Sequence, residues 1–224
     1  MAVSSELQRV APNAASAHAA RIAAAGSSGH PYAQDLGTPV GGGTAPRDLD
    51  DCVHLLTTLY GRQPGPIDLA QLRAPNGPVR TFFAAAASSF ERERQFLLRL
   101  AAAVGPMPST PGQAETQAAM LAQRHALETL ARSERNGCAL GTATALVSDW
   151  RNIRPLLELA ARRVGCEVPP CSLPDEDSVA HVLAEAADAP GPERAIRFGA
   201  EQLLLQHRAL FDLLEARYDA REVF

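Results

Sequence analysis

Residues 80–104 read RTFFAAAASSFERERQFLLRLAAAV. Phe82, Ala86, Phe90, Leu97, Leu100 and Val104 recur three, four or seven positions apart, the spacing of one α-helical face. Gly105 and Pro106 stop the pattern. A helix of this length spans about 37 Å, too long for a loop-and-strand domain of ordinary size.

Working outward, the same periodicity returns. Thr110-Pro111-Gly112-Gln113 has the form of a capping box with proline at the first helical position, and predicts a helix to about Arg135. Asn136-Gly137 predicts a turn. A further helix is expected over about Cys138 to Val164, with a kink at Pro155. Joining these two helices into one would leave the stripe Met120, Leu127, Leu130, Ala131 out of phase with Leu146, Trp150, Ile153, Leu157. A short helix is expected over about Glu176 to Ala187 and a long one over about Glu193 to Arg221. Upstream, Leu49, Val53, Leu56 and Tyr60 follow Asp48 as N-cap, and a helical turn is expected around Ile67 to Leu72. No alternating pattern marks a strand. The expected fold is all-α: a core like a four-helix bundle with extra short helices. A ferritin-like arrangement is open within that class.

Residues 1–47 hold Gly26-Ser27-Ser28-Gly29, followed by three prolines (Pro31, Pro39 and Pro46) and Gly41-Gly42-Gly43. A short helix is open over Ala14 to Ala25, but as a whole the stretch is expected to form a flexible N-terminal tail, leaving residues 48–224 as one helical domain.

Composition narrows the function. The net charge is -4 and all 21 basic residues are arginine, spread along the chain. That is a poor match to nucleic acid. No apolar run is long enough to cross a membrane and no signal peptide is read, so the expected setting is the cytoplasm. Cys52, Cys138, Cys166 and Cys171 are expected as thiols. Cys166 and Cys171 lack the second ligand pair of a zinc site, for which Cys52, His54 and His181 are the remaining candidates. No phosphate loop, nucleophile elbow or His-Glu-x-x-His motif occurs.

Two polar residues stand out. Glu93 lies at the centre of the stripe on residues 80–104. His207 lies at the centre of the last helix's stripe, Ile196, Ala200, Leu203, Leu210, Phe211, Leu214 and Tyr218. Buried polar groups need partners. A pair formed by Glu93 and His207 is one expectation. A metal site that adds His125 and Glu128, with Glu201 in reserve and Fe or Mn as the ion, is the alternative. The Glu-x-x-His of ferritin-like centres is missing, and His125-x-x-Glu128 reverses it. Asp149 is read as a flank residue, Trp150 and Tyr218 as core, and the arginines from Arg151 to Arg163 as a solvated face.

Three stretches, Met107-Pro-Ser-Thr-Pro-Gly-Gln-Ala-Glu115, AQRHALETLARSERNGCALG over residues 122–141, and Val168-Pro-Pro-Cys-Ser-Leu-Pro-Asp-Glu176, resemble an uncharacterised bacterial helical family over about residues 48–220. The resemblance implies no activity. The leading expectation is therefore a helical protein acting through a protein partner or a homo-oligomer. Beside it stand a ferritin-like metal-binding or oxidative protein, and a small-molecule binder with a pocket near Phe82, Phe90 and Trp150.

Overall fold

A computed structural model of the chain describes residues 13–38 and 46–222. Its helices are α1 (Ala14–Ala25), α2 (Pro31–Gly37), α3 (Pro46–Tyr60), α4 (Pro66–Gln71), α5 (Pro78–Val104), α6 (Gln113–Ala131), α7 (Cys138–Val164), α8 (Glu176–Ala186) and α9 (Pro190–Glu222), with a 3-10 turn at Ser27–Gly29. No strand occurs among the described residues, and no helix is long and apolar enough to cross a membrane. The all-α expectation holds. So does the break between α6 and α7, where Gly137 adopts a left-handed φ of 98° that suits glycine.

The three longest helices, α5, α7 and α9, run parallel. Gly141 in the first turn of α7 meets Ile196, and Asp149 meets His207 about two turns further along α7 and about three further along α9. Likewise Phe90 meets Trp150, and Phe96 meets Arg154. The return paths are α6 and the loop containing α8. Helix α3 runs antiparallel to both α5 and α9, as Tyr60–Arg94, His54–Gly105 and Asp51–Arg217 contacts require.

Parallel helices align their dipoles, and charges at the ends offset this. Asp48, Asp50 and Asp51 at the start of α3 pair with Arg221, Arg163 and Arg217 at the ends of α9 and α7. Carboxylates thus sit at a helix N-terminus and guanidinium groups at helix C-termini, the favourable placement for each. Arg217 holds Asp51 through two bonds of 2.9 Å. It also donates to the Pro108 carbonyl, Gln113 Oε1 and Thr110 Oγ1. This corrects two expected caps. Thr110 is spent on Arg217 and Arg221, so α6 begins without a side-chain cap. Asp48 lies inside the first turn of α3 as a partner of Arg221.

Two arginines, Arg151 and Arg154, differ from their expected solvated role. Arg151 donates to the Leu173 and Pro174 carbonyls, and Arg154 to the Pro169 carbonyl. They tie down the proline-rich loop after α7. Tyr218 is also no core residue: it is 37% exposed and packs its ring on Tyr32.

The largest correction concerns the N-terminus. Residues 13–38 fold back on the bundle, although residues 1–12 and 39–45 of the expected tail lie outside the described residues. His18, Ser27, His30, Tyr32, Ala33 and Leu36 are buried, and α1 lies against α7, α8 and α9. Glycine, serine and proline give a tight turn here, because Gly26 has no room for a side chain. A Cβ there would lie 2.6 Å from Asp149 Oδ1.

Candidate functional site

At the centre of the bundle is a closed chain of hydrogen bonds. Helix α3 ends on Tyr60, whose O–H donates to His207 Nε2 across 2.5 Å. His207 Nδ1–H donates to Asp149 Oδ2 across 2.6 Å. Asp149 collects three more donors: Ser27 Oγ–H on Oδ2 at 2.6 Å, Ser27 N–H on Oδ1 at 2.8 Å, and Asn152 Nδ2–H on Oδ1 at 3.0 Å. Asp149, His207 and Tyr60 are each 0% exposed.

The bonds fix the protons. A carboxylate that only accepts requires the proton on His207 Nδ1, and in the neutral imidazole this leaves Nε2 as acceptor for the phenol. Burial alone would push Asp149 up. The donors from His207, Ser27 and Asn152 outweigh it and hold the carboxyl below its ordinary value. Burial, reinforced by the charge of Asp149, holds the Tyr60 phenol well above its ordinary value. The result is an ionised aspartate, an oriented imidazole and a protonated tyrosine, the order of partners that orients a base in nucleophilic catalysis. Here every one of those atoms is already used inside the protein.

Aromatic rings continue the chain. Tyr60 packs edge-on against Trp150 and Phe90, with centroids 5.4 and 5.8 Å away. Trp150 Nε1–H donates to Glu93 Oε2 at 3.0 Å, and Arg154 Nε–H reaches the same oxygen at 3.1 Å. Arg154 also pairs with Glu158 at 2.8 Å.

Glu93 and His207 are therefore both buried, as their stripe positions predict, yet they are not each other's partner. Tyr60 and Trp150 lie between them. The wider metal set does not assemble either. His125 is exposed, and Glu128 pairs with Arg124 at 3.7 Å. Both line a surface depression beside Arg73 and Arg132, whose charge opposes a cation. Glu201 is taken by Arg21 and Arg197. The zinc candidates are dispersed too: His54 Nε2 bonds the Gly105 carbonyl at 2.9 Å, and burial beside Asp51 pushes the Cys52 thiol up to about 12. All four cysteines are free thiols.

One other group among the described residues has donors close enough for an ion: His30, Asp212 and Glu215. Its hydrogen bonds argue against that use. His30 Nδ1 accepts the Tyr32 N–H that starts α2, so Nε2 carries the proton and donates it to Asp212 at 3.0 Å. A metal on Nε2 would need the opposite tautomer and would strand the Tyr32 N–H.

Of the central residues, sequence reasoning missed Tyr60, Asp149 and Ser27 as site members. For Asp149 the signal was weak, because every residue from Leu140 to Trp150 is buried. A wheel that assumes one apolar stripe cannot flag a flank that is also covered.

The surface offers a different kind of site. A cleft of about 440 Å³ opens between the start of α5 and α8. Pro78, Phe82, Ala85, Pro174 and Val182 give it apolar walls, and Thr81, Ser178 and His181 add polar groups. The loop wall is held by Ser89 Oγ–H on the Ser172 carbonyl at 2.7 Å and Arg92 Nε–H on Ser172 Oγ at 2.8 Å. Of the aromatics expected to line a pocket, Phe82 does so, whereas Phe90 and Trp150 belong to the core.

Fold and site together define a helical bundle built around a buried Asp–His–Tyr chain. Residues 22–222 match a family of unknown function, DUF6975, and the protein belongs to that family. The match begins inside α1, so the family unit takes in Ser27 and most of the segment expected to be a tail. No curated protein and no solved structure matches the chain.

Proposed function

We propose that the protein is a binding module that takes a small, uncharged, mainly apolar molecule in the cleft between α5 and α8, while the buried Asp149–His207–Tyr60 chain serves to fix the fold. The observation that carries this reading is the make-up of the cleft. Its volume of about 440 Å³ falls within the usual range for ligand sites. No carboxylate or guanidinium group lines it, so a charged ligand would lose its hydration and find only the hydroxyls of Thr81 and Ser178 and the His181 ring in return. Its loop wall is anchored by Ser89, Arg92 and Arg151, and a preformed wall reduces the ordering cost of binding. The interior is a weaker candidate, since every polar atom of Asp149, His207 and Tyr60 is already paired, and Glu93 Oε1 beside them, unpartnered among the described residues, has no exposed surface through which a substrate could reach it.

The test uses the uncharged dye N-phenyl-1-naphthylamine. Saturable fluorescence enhancement is expected with the native protein, and Ala85→Arg should abolish it. Ala85 is exposed on α5, so arginine fills the cleft without disturbing the core. Equal dye binding by A85R with unchanged circular dichroism, or no binding by the native protein, would overturn the reading.

A further inference from the structure

We infer that residues 13–38 form a strap that opens as a unit of its own, and that its docking sets the position of α8 and hence the width of the cleft.

The strap's anchoring differs from that of the bundle. The only buried residue of α1 is His18, a polar side chain. Its Nε2 lies a long 3.4 Å from Ser148 Oγ. Arg21 reaches Glu201 at 3.3 Å on the surface. Full apolar burial in the strap is confined to Tyr32, Ala33 and Leu36 on the short α2, with Ala14 and Ile22 of α1 only partly buried against the core, and Tyr32 brings its hydroxyl into the interior with no hydrogen-bond partner among the described residues. Little apolar area and few strong contacts make a segment of low local stability. The strongest tie is Ser27, which supplies two of the four donors to Asp149. Hydrogen bonds to a buried charge are the strong class, so Ser27 outweighs the strap's polar tie from His30 to the half-exposed Asp212 at 3.0 Å.

Helix α8 links the strap to the cleft. It lies between α1 on one side and α5 on the other, and has few contacts with α7. Ser178, His181 and Val182 face the cleft. When the strap leaves, α8 loses the support behind it. The cleft then loses a fixed wall, and Asp149 loses Ser27. By linkage, a molecule that fills the cleft holds the strap down. This coupling rests on the binding reading above, whereas the strap's independent opening does not.

Hydrogen exchange read by mass spectrometry tests both parts. In the native protein at increasing urea, the amides of α1 and α2 should share one opening with a smaller denaturant dependence than those of α5, α7 and α9. Ser27→Ala should speed exchange in the strap about tenfold or more and leave α5 unchanged. N-phenyl-1-naphthylamine should slow exchange in the strap of the native protein and have no such effect in A85R. Strap amides that exchange only with global unfolding would overturn the inference, as would unchanged strap rates in S27A. Dye that binds and is blocked by A85R, yet leaves strap exchange unchanged, would remove the coupling while leaving the binding reading in place. No dye binding at all would remove the binding reading while leaving the strap's opening in place.

Discussion

Replacing Asp149 by asparagine keeps the size of the side chain and reverses one hydrogen-bonding atom. Oδ2 accepts from His207 Nδ1–H and Ser27 Oγ–H, and Oδ1 from Ser27 N–H and Asn152. With an amide NH₂ in place of Oδ2, the Ser27 hydroxyl can turn round and accept. His207 can adapt only by moving its proton from Nδ1 to Nε2. That displaces the Tyr60 hydroxyl hydrogen, whose surroundings are the rings of Phe90 and Trp150. One buried donor is stranded wherever the proton goes, at about 1–3 kcal/mol, and the bonds that remain lose their charge assistance, about 1 kcal/mol each. The expected loss is about 4 kcal/mol. Tyr60→Phe strands His207 Nε2 alone, at about 1–3 kcal/mol. In the double variant that same nitrogen is unsatisfied only once, so the loss should fall short of the sum by about 1 kcal/mol or more. Urea denaturation of the native protein, D149N, Y60F and D149N/Y60F measures this. A loss below about 1 kcal/mol for D149N, or additivity within about 0.5 kcal/mol, would refute the proton arrangement.

Burial and the nearby Arg21 push His18 down to about 4, against the opposing pull of the Thr144 carbonyl. The unfolded chain takes up this proton below its ordinary value of 6.5 and the folded chain only near 4. Stability contributed by neutral His18 is therefore present above about pH 6.5 and is lost as pH falls towards 4, by up to about 3 kcal/mol. Comparing the native protein with His18→Gln over this range should show a flatter profile in the variant, and identical profiles would contradict the burial of His18. Gly141→Ala would set a Cβ 1.9 Å from the Ile196 carbonyl oxygen. The helices α7 and α9 must part, and a net loss above about 2 kcal/mol is expected despite the better helix propensity of alanine; a stabilised variant in thermal denaturation would refute the close crossing. Glu93→Gln and His207→Gln should have effects that add within about 0.5 kcal/mol, because Tyr60 and Trp150 separate the two residues. Strong coupling in the double variant would mean that they touch.

The helices were legible because their apolar faces repeat over many turns, as Phe82 to Leu100 do. The burial of Glu93 and His207 was legible for the same reason, since each interrupts a stripe at its centre. Their partners were not, because pairing depends on which helices meet and in which direction. The parallel course of α7 and α9 brings Asp149 to His207, and nothing local to either helix records it. Tyr60 fits an apolar stripe whether or not its hydroxyl is used. Ser27 was hidden for another reason: Gly-Ser-Ser-Gly has the composition of a linker, and only the absence of room at Gly26 shows that it is a packed turn. Thr110 illustrates the same limit at a cap. Its pattern fits a capping box, but two arginines from the far end of the chain claim the hydroxyl.

The most direct test is the protonation pattern of His207, read from imidazole ¹⁵N shifts and long-range ¹H–¹⁵N couplings. The expected spectrum shows a single neutral tautomer with the proton on Nδ1, exchanging slowly with water and lost as a pattern in D149N. A proton on Nε2, or one on Nδ1 that exchanges freely with solvent, would contradict the closed Asp149–His207–Tyr60 chain.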